Sequence, residues 1–213
     1  MEKGGIVMKI ITVSREFGSG GREIAKRLSD ALEIEYYDNE ILTAISEKCL
    51  LDETYVENVL NKNLMSNYPI SFSHTFSYVP MMEASITKIL AEQHKIIKGL
   101  ADKKDCIIVG RCADVILEEH NPFKIFVYAD MKSKVQRCME RAEEGIKYTA
   151  KEIEKKIKQI DKARASYHNV IAAYPWGDKR GYNLCVNTAN VDLKAVVPVI
   201  ADYATKWFEF QNM

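Results

Sequence analysis

An apolar, β-branched run from Ile6 to Val13 stops at Ser14-Arg-Glu-Phe-Gly-Ser-Gly-Gly21, and helical spacing begins beyond it with Ile24, Ala25, Leu28 and Leu32. The pattern predicts a buried strand, a glycine turn and an amphipathic helix in immediate succession. Glycine lets the backbone turn tightly and approach a ligand closely. A helix starting there aims its orphan N–H groups and positive dipole end back at the loop. Phe17 to Glu23 can therefore cradle phosphate through main-chain donors, with Gly18, Ser19, Gly20, Gly21, Arg22 and Glu23 as the binding set. A plain glycine turn is the competing reading. The place between strand and helix favours phosphate.

The loop departs from the lysine-bearing phosphate motif. Aligned on Gly18-Ser-Gly20, the lysine position holds Gly21 and the hydroxyl position holds Glu23. Arg15 and Arg22 are the nearby cations able to stand in, as fork-shaped donors rather than mobile ammoniums. Solvated surface charge is the alternative for each. Ser19 is the hydroxyl offered to a metal.

Apolar runs and helical spacing alternate along the remainder. Glu33–Tyr37, Cys106–Val109, Lys124–Tyr128 and Tyr182–Val186 read as strands. Helices are expected over Asn39–Cys49 with Asp38 as cap, from Asp52 to near Leu64, over Met81–Leu100, from Cys112 to Glu119 and over Met131–Glu144. Another starts at the capping box Thr149-Ala-Lys-Glu152 and runs to near Ile171, and a last one spans Asp192–Phe208, interrupted at Pro198. Met65 to Pro80 has no period and reads as loop. The fold class is α/β: a P-loop NTPase-like three-layer sandwich of about five mostly parallel strands with helices on both faces. One domain over 1–213 is expected, with a helical acceptor-binding insertion near 38–100 and a short lid near 137–150.

Ligands in such sheets gather beyond the carboxyl ends of the strands. Arg111 stands there, after Cys106–Val109 and Gly110; Asp114, three residues on, reads as a first-turn helix charge. On the helix after Thr149, Arg164 shares the sector of Ile153, Ile157 and Ile160, with Asp161 at its edge. The two can pair with each other, or Arg164 can reach a phosphate while Asp161 orients it or the acceptor. Arg137 and Arg141, four apart, border a segment able to close over a triphosphate. The four histidines show no metal-ligand spacing, and Cys112 has no base assigned to it.

The 213 residues carry 30 Lys plus Arg against 30 Asp plus Glu, so no charge excess points to nucleic acid or a membrane surface. Five scattered cysteines suit neither a disulfide framework nor a zinc cage. Ile6–Met8 is too short for a signal peptide, and no apolar stretch approaches about 18 residues. The expectation is a cytoplasmic protein, monomeric or homodimeric.

Taken together, Ile11-Thr-Val-Ser-Arg-Glu-Phe-Gly-Ser-Gly-Gly-Arg-Glu-Ile24, Tyr36-Tyr-Asp38, Val109-Gly-Arg111, Phe123-Lys-Ile-Phe-Val-Tyr128, Arg137 to Arg141, Asp161-Lys-Ala-Arg164, Tyr167, Trp176-Gly177 and Tyr182-Asn-Leu184 resemble the cytidylate kinase-like family. The resemblance implies transfer of a phosphoryl group from ATP, with Mg²⁺, to CMP or dCMP. It implies that Gly18, Ser19, Gly20 and Gly21 form the phosphate loop and that Asp38 and Arg111 lie near the acceptor. Arg137 and Arg141 would fall near the lid arginines. Asp161 would lie toward the cytosine or sugar and Arg164 toward phosphate. The sequence departs from the family in the absent loop lysine, in Cys112 standing where the Gly-Arg-Asp motif has Asp, and in the 38–100 insertion. A nucleotide-binding sensor without kinase activity and a kinase of another small acceptor are the alternatives these departures leave.

Overall fold

The computed structural model of the chain describes residues 8–61, 79–142 and 148–211. Strands β1 (Ile10–Arg15), β2 (Glu35–Tyr37), β3 (Cys106–Val109), β4 (Phe123–Tyr128) and β5 (Leu184–Asn187) make one sheet in the order β2-β3-β1-β4-β5. Every pairing among the described residues is parallel, with Ile10 opposite Cys106 on one side of β1 and Ile11 opposite Phe123 on the other. Strands covered on both faces need apolar side chains at successive positions rather than at alternate ones. Ile10 to Ser14 are all buried accordingly.

Helices fill both faces. On one, α1 (Gly21–Leu32) and α8 (Leu193–Gln211) bury Ile24, Ala25, Leu28, Val197, Ile200 and Phe208 against Ile11, Val13 and Phe123. On the other, α2 (Asn39–Cys49), α3 (Glu53–Asn61), α4 (Val79–Ala101) and α5 (Ala113–Ile116) pack Ile41, Ile45, Val56, Ile89 and Ile97 on Ile10 and Ile108. Leu28 is fully buried, and truncation to Ala would cost about 2–5 kcal/mol. The remaining helices, α6 (Met131–Glu140) and α7 (Ala150–Ile171), contact each other, and α7 also meets α3. Among the described residues no helix is long and apolar enough to cross a membrane.

Several sequence expectations change at the element ends. Asp38 occupies the N-cap position of α2, but its side chain makes no capping bond, because arginines claim the carboxylate. Glu33 is not in a strand; its left-handed φ of 55° closes α1, with its N–H donating to Ser29 O. Pro198 does not interrupt α8. It lies on the solvent face, and the carbonyl it deprives of a partner, at exposed Lys194, stays open to water. The helix expected over Cys112–Glu119 is only α5 followed by a short 3₁₀ turn. The capping box on α7 forms as expected, with Thr149 N–H donating to Glu152 Oε2 at 2.8 Å and Glu152 N–H to Thr149 Oγ1 at 3.3 Å. The loop expected over Met65–Pro80 falls outside the described residues up to 78, and α4 has already begun at Val79.

Candidate active site

Past Arg15 the chain is held at each step. Glu16 N–H donates to Val127 O at 2.9 Å. Phe17 N–H donates to Asp161 Oδ1 at 2.7 Å. The Ser19 hydroxyl donates to Glu16 O at 2.8 Å and accepts from Gly21 N–H at 3.4 Å. Gly18 and Gly20 take φ of 77° and 81°, and Gly20 caps α1. Their neighbours also exclude a side chain: a Cβ on Gly18 would lie 2.9 Å from Lys134 O, and one on Gly20 would lie 2.5 Å from Leu193 Cδ1. The loop is thus wedged between α6 and α8, with the start of α1 directed at what lies above it.

Above it is a cleft of about 560 Å³ lined by Gly18, Gly20, Gly21, Arg137, Cys138 and Arg141, with Tyr148, Ile153 and Lys156 opposite. That volume suits a ligand of nucleotide size. A second cleft, of about 370 Å³, lies beyond the ends of β1, β2 and β3, and is lined by Asp38, Asn39, Glu57, Arg111, Tyr167 and Trp176 among others. Arg15, Phe17, Arg22 and Arg164 line both clefts. The two spaces therefore meet at three arginines.

The electrostatics of that junction are those of an anion site. Burial lowers the guanidinium pKa of Arg15, Arg111 and Arg164; neighbouring arginines add to this, most at Arg15, while Glu57 and Asp38 at Arg111 and Asp161 at Arg164 pull the other way. An arginine stays protonated regardless, so the burial of these charges is a standing cost that a bound anion would relieve. Asp38 is the carboxylate set among them. Arg22 Nε lies 2.5 Å from its Oδ2 and Arg15 Nη2 lies 3.8 Å from its Oδ1. Tyr36 donates to it at 3.3 Å. Arg164 Nη1 donates to Arg15 O at 2.9 Å, and its guanidinium lies 5.7 Å from the centre of the Phe17 ring.

Strained backbone also borders this junction. Gly110, Arg111 and Cys112 follow β3 with φ of 71°, 56° and 54°. Two successive non-glycine residues in the left-handed region cost about 1–2 kcal/mol each. A Cβ on Gly110 would fall 1.8 Å from Arg15 Nη1, so glycine here makes room for the guanidinium.

The other expected residues lie as follows. Ser19, expected beside a metal, is fully buried with its hydroxyl spent inside the loop; the structure turns it away from both clefts. Asp161 lines neither cleft and holds the loop from behind, receiving Phe17 N–H and Lys134 Nζ. Arg164 lies 3.8 Å from it. Arg137 is turned toward the loop and the end of β5, donating to Gly18 O, Ser19 O and Thr188 Oγ1 at 3.1–3.4 Å and also to Thr188 O. Arg141 pairs with Glu23, which Arg27 also holds at 2.9 Å. Of the expected lid, residues 143–147 are outside the described part.

Sequence reasoning missed Lys134, Glu16 and the Asp114–His168 pair. Lys134 is buried, 2.9 Å from Glu16 Oε2 and 3.2 Å from Asp161 Oδ2. The only hint was spacing: positions 134, 137, 138 and 141 share one face of α6. Asp114 is not a solvated first-turn charge. It is buried, accepting from His168 Nε2 at 2.8 Å and Tyr174 at 3.2 Å, on the wall of the smaller cleft. Burial pushes the Cys112 thiol far up, with Asp114 adding to the effect, which leaves it a poor nucleophile.

Among the described residues no three His, Cys, Asp or Glu side chains group to hold a metal ion. The carboxylates near the loop are already engaged, Glu16 by Lys134 and Ala129 N–H and Asp38 by arginines. The donor set therefore fits no dedicated cage. It is compatible with Mg²⁺ arriving on a nucleotide, coordinated by phosphate oxygens and water.

A parallel five-strand sheet with a glycine loop opening α1 defines a P-loop-like fold. Residues 10–190 match the cytidylate kinase-like family, and the chain belongs to it. Kinases of nucleotides or other small molecules are the functional class this places it in. None of the curated proteins matches the sequence significantly. Among solved structures, it is similar to an uncharacterized protein from Eubacterium ventriosum ATCC 27560, at 28% identity and TM-score 0.66 over 93% of this chain and 99% of that one. Shikimate kinase from Acinetobacter baumannii in complex with shikimate matches at 10% identity and TM-score 0.52, over 93% of this chain and 94% of that one. Shikimate kinase from Bacteroides thetaiotaomicron matches at 13% and 0.54, over 92% and 98%. At such identities the likeness to shikimate kinases is one of fold.

Proposed function

We propose that the chain transfers the γ-phosphoryl group of MgATP to CMP, dCMP or a closely related small phosphorylated acceptor. The observation that carries this reading is the pair of clefts sharing Arg15, Arg22 and Arg164. Phosphoryl transfer asks a protein for position and charge neutralisation more than for a strong nucleophile. An acceptor phosphate oxygen attacks the γ-phosphorus in line; the new O–P bond forms as the bond to the β-phosphate oxygen breaks, and ADP leaves with that electron pair. An acceptor phosphate is already ionised, so no base is needed.

In this reading the Gly18 and Gly20 N–H groups and the start of α1 hold the donor phosphates, the Phe17, Ser19 and Gly21 N–H groups being bonded within the protein. Arg15, Arg22 and Arg164 surround the group in transit, offsetting the absent loop lysine. Arg111 draws the acceptor phosphate into the smaller cleft. Mg²⁺, carried by ATP, offsets phosphate charge. Arg141, exposed at the rim of the donor cleft, would close on the nucleotide, whereas Arg137 keeps the loop carbonyls in place.

The test is ADP formation from MgATP with a panel of nucleoside monophosphates and of other phosphorylated or hydroxylated small acceptors. A cytidine monophosphate should be turned over, and Arg164→Ala should reduce kcat about 10²–10³-fold. Faster turnover of a non-nucleotide acceptor would replace the acceptor while keeping the chemistry. No transfer to any acceptor, with ATP still bound, would leave a nucleotide-binding protein and reject the kinase reading.

A further inference from the structure

The phosphate loop rests on a charge cluster of Glu16, Lys134 and Asp161, of which only Glu16 reaches a cleft. α6 touches the loop so closely that a Cβ on Gly18 would meet Lys134 O and Cys138 Sγ. From this helix the Lys134 side chain runs inward, which is uncommon for lysine. Its ammonium ends between two carboxylates, Glu16 Oε2 at 2.9 Å and Asp161 Oδ2 at 3.2 Å. Each acid also takes a main-chain N–H that fixes the site: Asp161 Oδ1 takes Phe17 N–H at 2.7 Å, and Glu16 Oε2 takes Ala129 N–H at 3.3 Å. One ammonium therefore joins the beginning of the loop, the segment after β4 and the middle of α7.

Charge gives the arrangement a consequence beyond rigidity. Glu16 lines the larger cleft, where the phosphates of a nucleotide would lie. A bare carboxylate there would repel them, and burial beside Asp161 would double the negative charge behind the loop. Lys134 cancels one of these charges, and Arg164, 3.8 Å from Asp161 Oδ1, approaches the other. Lys134 lines neither cleft, and its ammonium is already shared between two acids, so contact with a phosphate is not its role.

We propose that Lys134 is a positioning residue for phosphate binding, which offsets one of the two negative charges of Glu16 and Asp161, bridges them from beneath the loop and so fixes Phe17–Gly20 in a shape, and at a charge, that accepts a polyphosphate. The inference rests on the phosphate-binding reading of the loop, and its test separates the two. The probes are ATP, inorganic triphosphate and adenosine, without acceptor, alongside amide hydrogen exchange of the loop in the protein alone.

Lys134→Met should weaken ATP and triphosphate binding about ten- to a hundredfold, leave adenosine binding unchanged and speed exchange at Phe17. Lys134→Arg should restore most of the affinity. The double variant Glu16→Gln/Lys134→Met, which removes the uncompensated carboxylate, should recover most of the triphosphate affinity that Lys134→Met loses. A general loss of packing would not be rescued in that way. Should Lys134→Met fail to fold, Glu16→Gln alone carries the test: with one carboxylate removed from the cleft wall and Lys134 still paired with Asp161, triphosphate should bind several-fold more tightly than to wild type. Unchanged triphosphate affinity in Lys134→Met, no recovery in the double variant, or no gain in Glu16→Gln would overturn the proposal. If wild type binds no polyphosphate while Lys134→Met still frees Phe17, the phosphate reading fails and the structural anchor alone survives.

Discussion

Arg22 Nε lies 2.5 Å from Asp38 Oδ2, joining the first turn of α1 to the residue that follows β2. Asp38 is buried, while Arg22 is largely exposed beyond the contact. The carboxylate therefore aims the arginine, with Asn39 Oδ1 accepting from its Nη2 at 3.4 Å. Asp38→Asn keeps the shape and removes the charge. It should lower kcat/KM for the acceptor about tenfold or more and change KM for ATP much less, read from initial rates with each substrate varied. Because Asp38 does not cap α2, far-ultraviolet circular dichroism should be unchanged.

Burying the charges of Arg15, Arg111 and Arg164 carries a cost that phosphate binding, as proposed, would offset. Arg111→Met removes one buried cation from the cluster and retains its apolar stem. It should change Tm without ligand by no more than about 2–4 °C for a chain of this size, because relief of the burial cost is offset by the lost attraction to Glu57 and Asp38. The same variant should show a much smaller rise in Tm on adding phosphate than wild type does. Thermal unfolding with and without phosphate reads both effects.

Cys138 lines the larger cleft and is half-buried, whereas Cys112 is buried in the wall of the smaller one. Burial raises both thiols above their ordinary value. Slow alkylation at mildly alkaline pH should modify Cys138 and spare Cys112, and ATP should slow the Cys138 reaction. Peptide mass mapping with and without ATP measures it.

Burial pushes the Asp161 carboxyl above its ordinary value of 3.8, although Phe17 N–H, Lys134 and Arg164 pull the other way. A raised folded-state pKa means the native state holds the proton more tightly than the unfolded chain. That contribution to stability is complete below the unfolded value and is lost as pH rises through the folded one. Asp161→Asn has no such proton to lose and keeps an oxygen for Phe17 N–H. Its stability relative to wild type should therefore grow as pH rises from about 4 to about 6. Denaturant midpoints across that range give the comparison.

The sheet, the glycine loop and the capping box of α7 were legible because each is written locally, in apolar runs, in glycine spacing and in a Thr–Glu pair three apart. Arg111 and Arg164 were legible because strand ends and helix sectors follow from period. The roles of Asp161 and Ser19 were not, since both turn on what the loop's own amides and carbonyls choose as partners. Lys134 was hidden for a related reason. A lysine on a charged helix reads as solvated until the loop that covers it and the two acids that receive it are brought together from distant parts of the chain. Asp38 shows the same competition, a cap by position and an arginine partner by contact.

Adenosine 5′-pentaphosphate tests the junction of the two clefts without assuming which acceptor is used. If the shared arginines make one continuous anion path, its extra phosphates reach from the loop to Arg111, and it should bind at least about tenfold more tightly than ATP. That gain should vanish in Arg111→Met. Equal affinity for the two ligands in wild type, or a gain that survives Arg111→Met, would contradict the account.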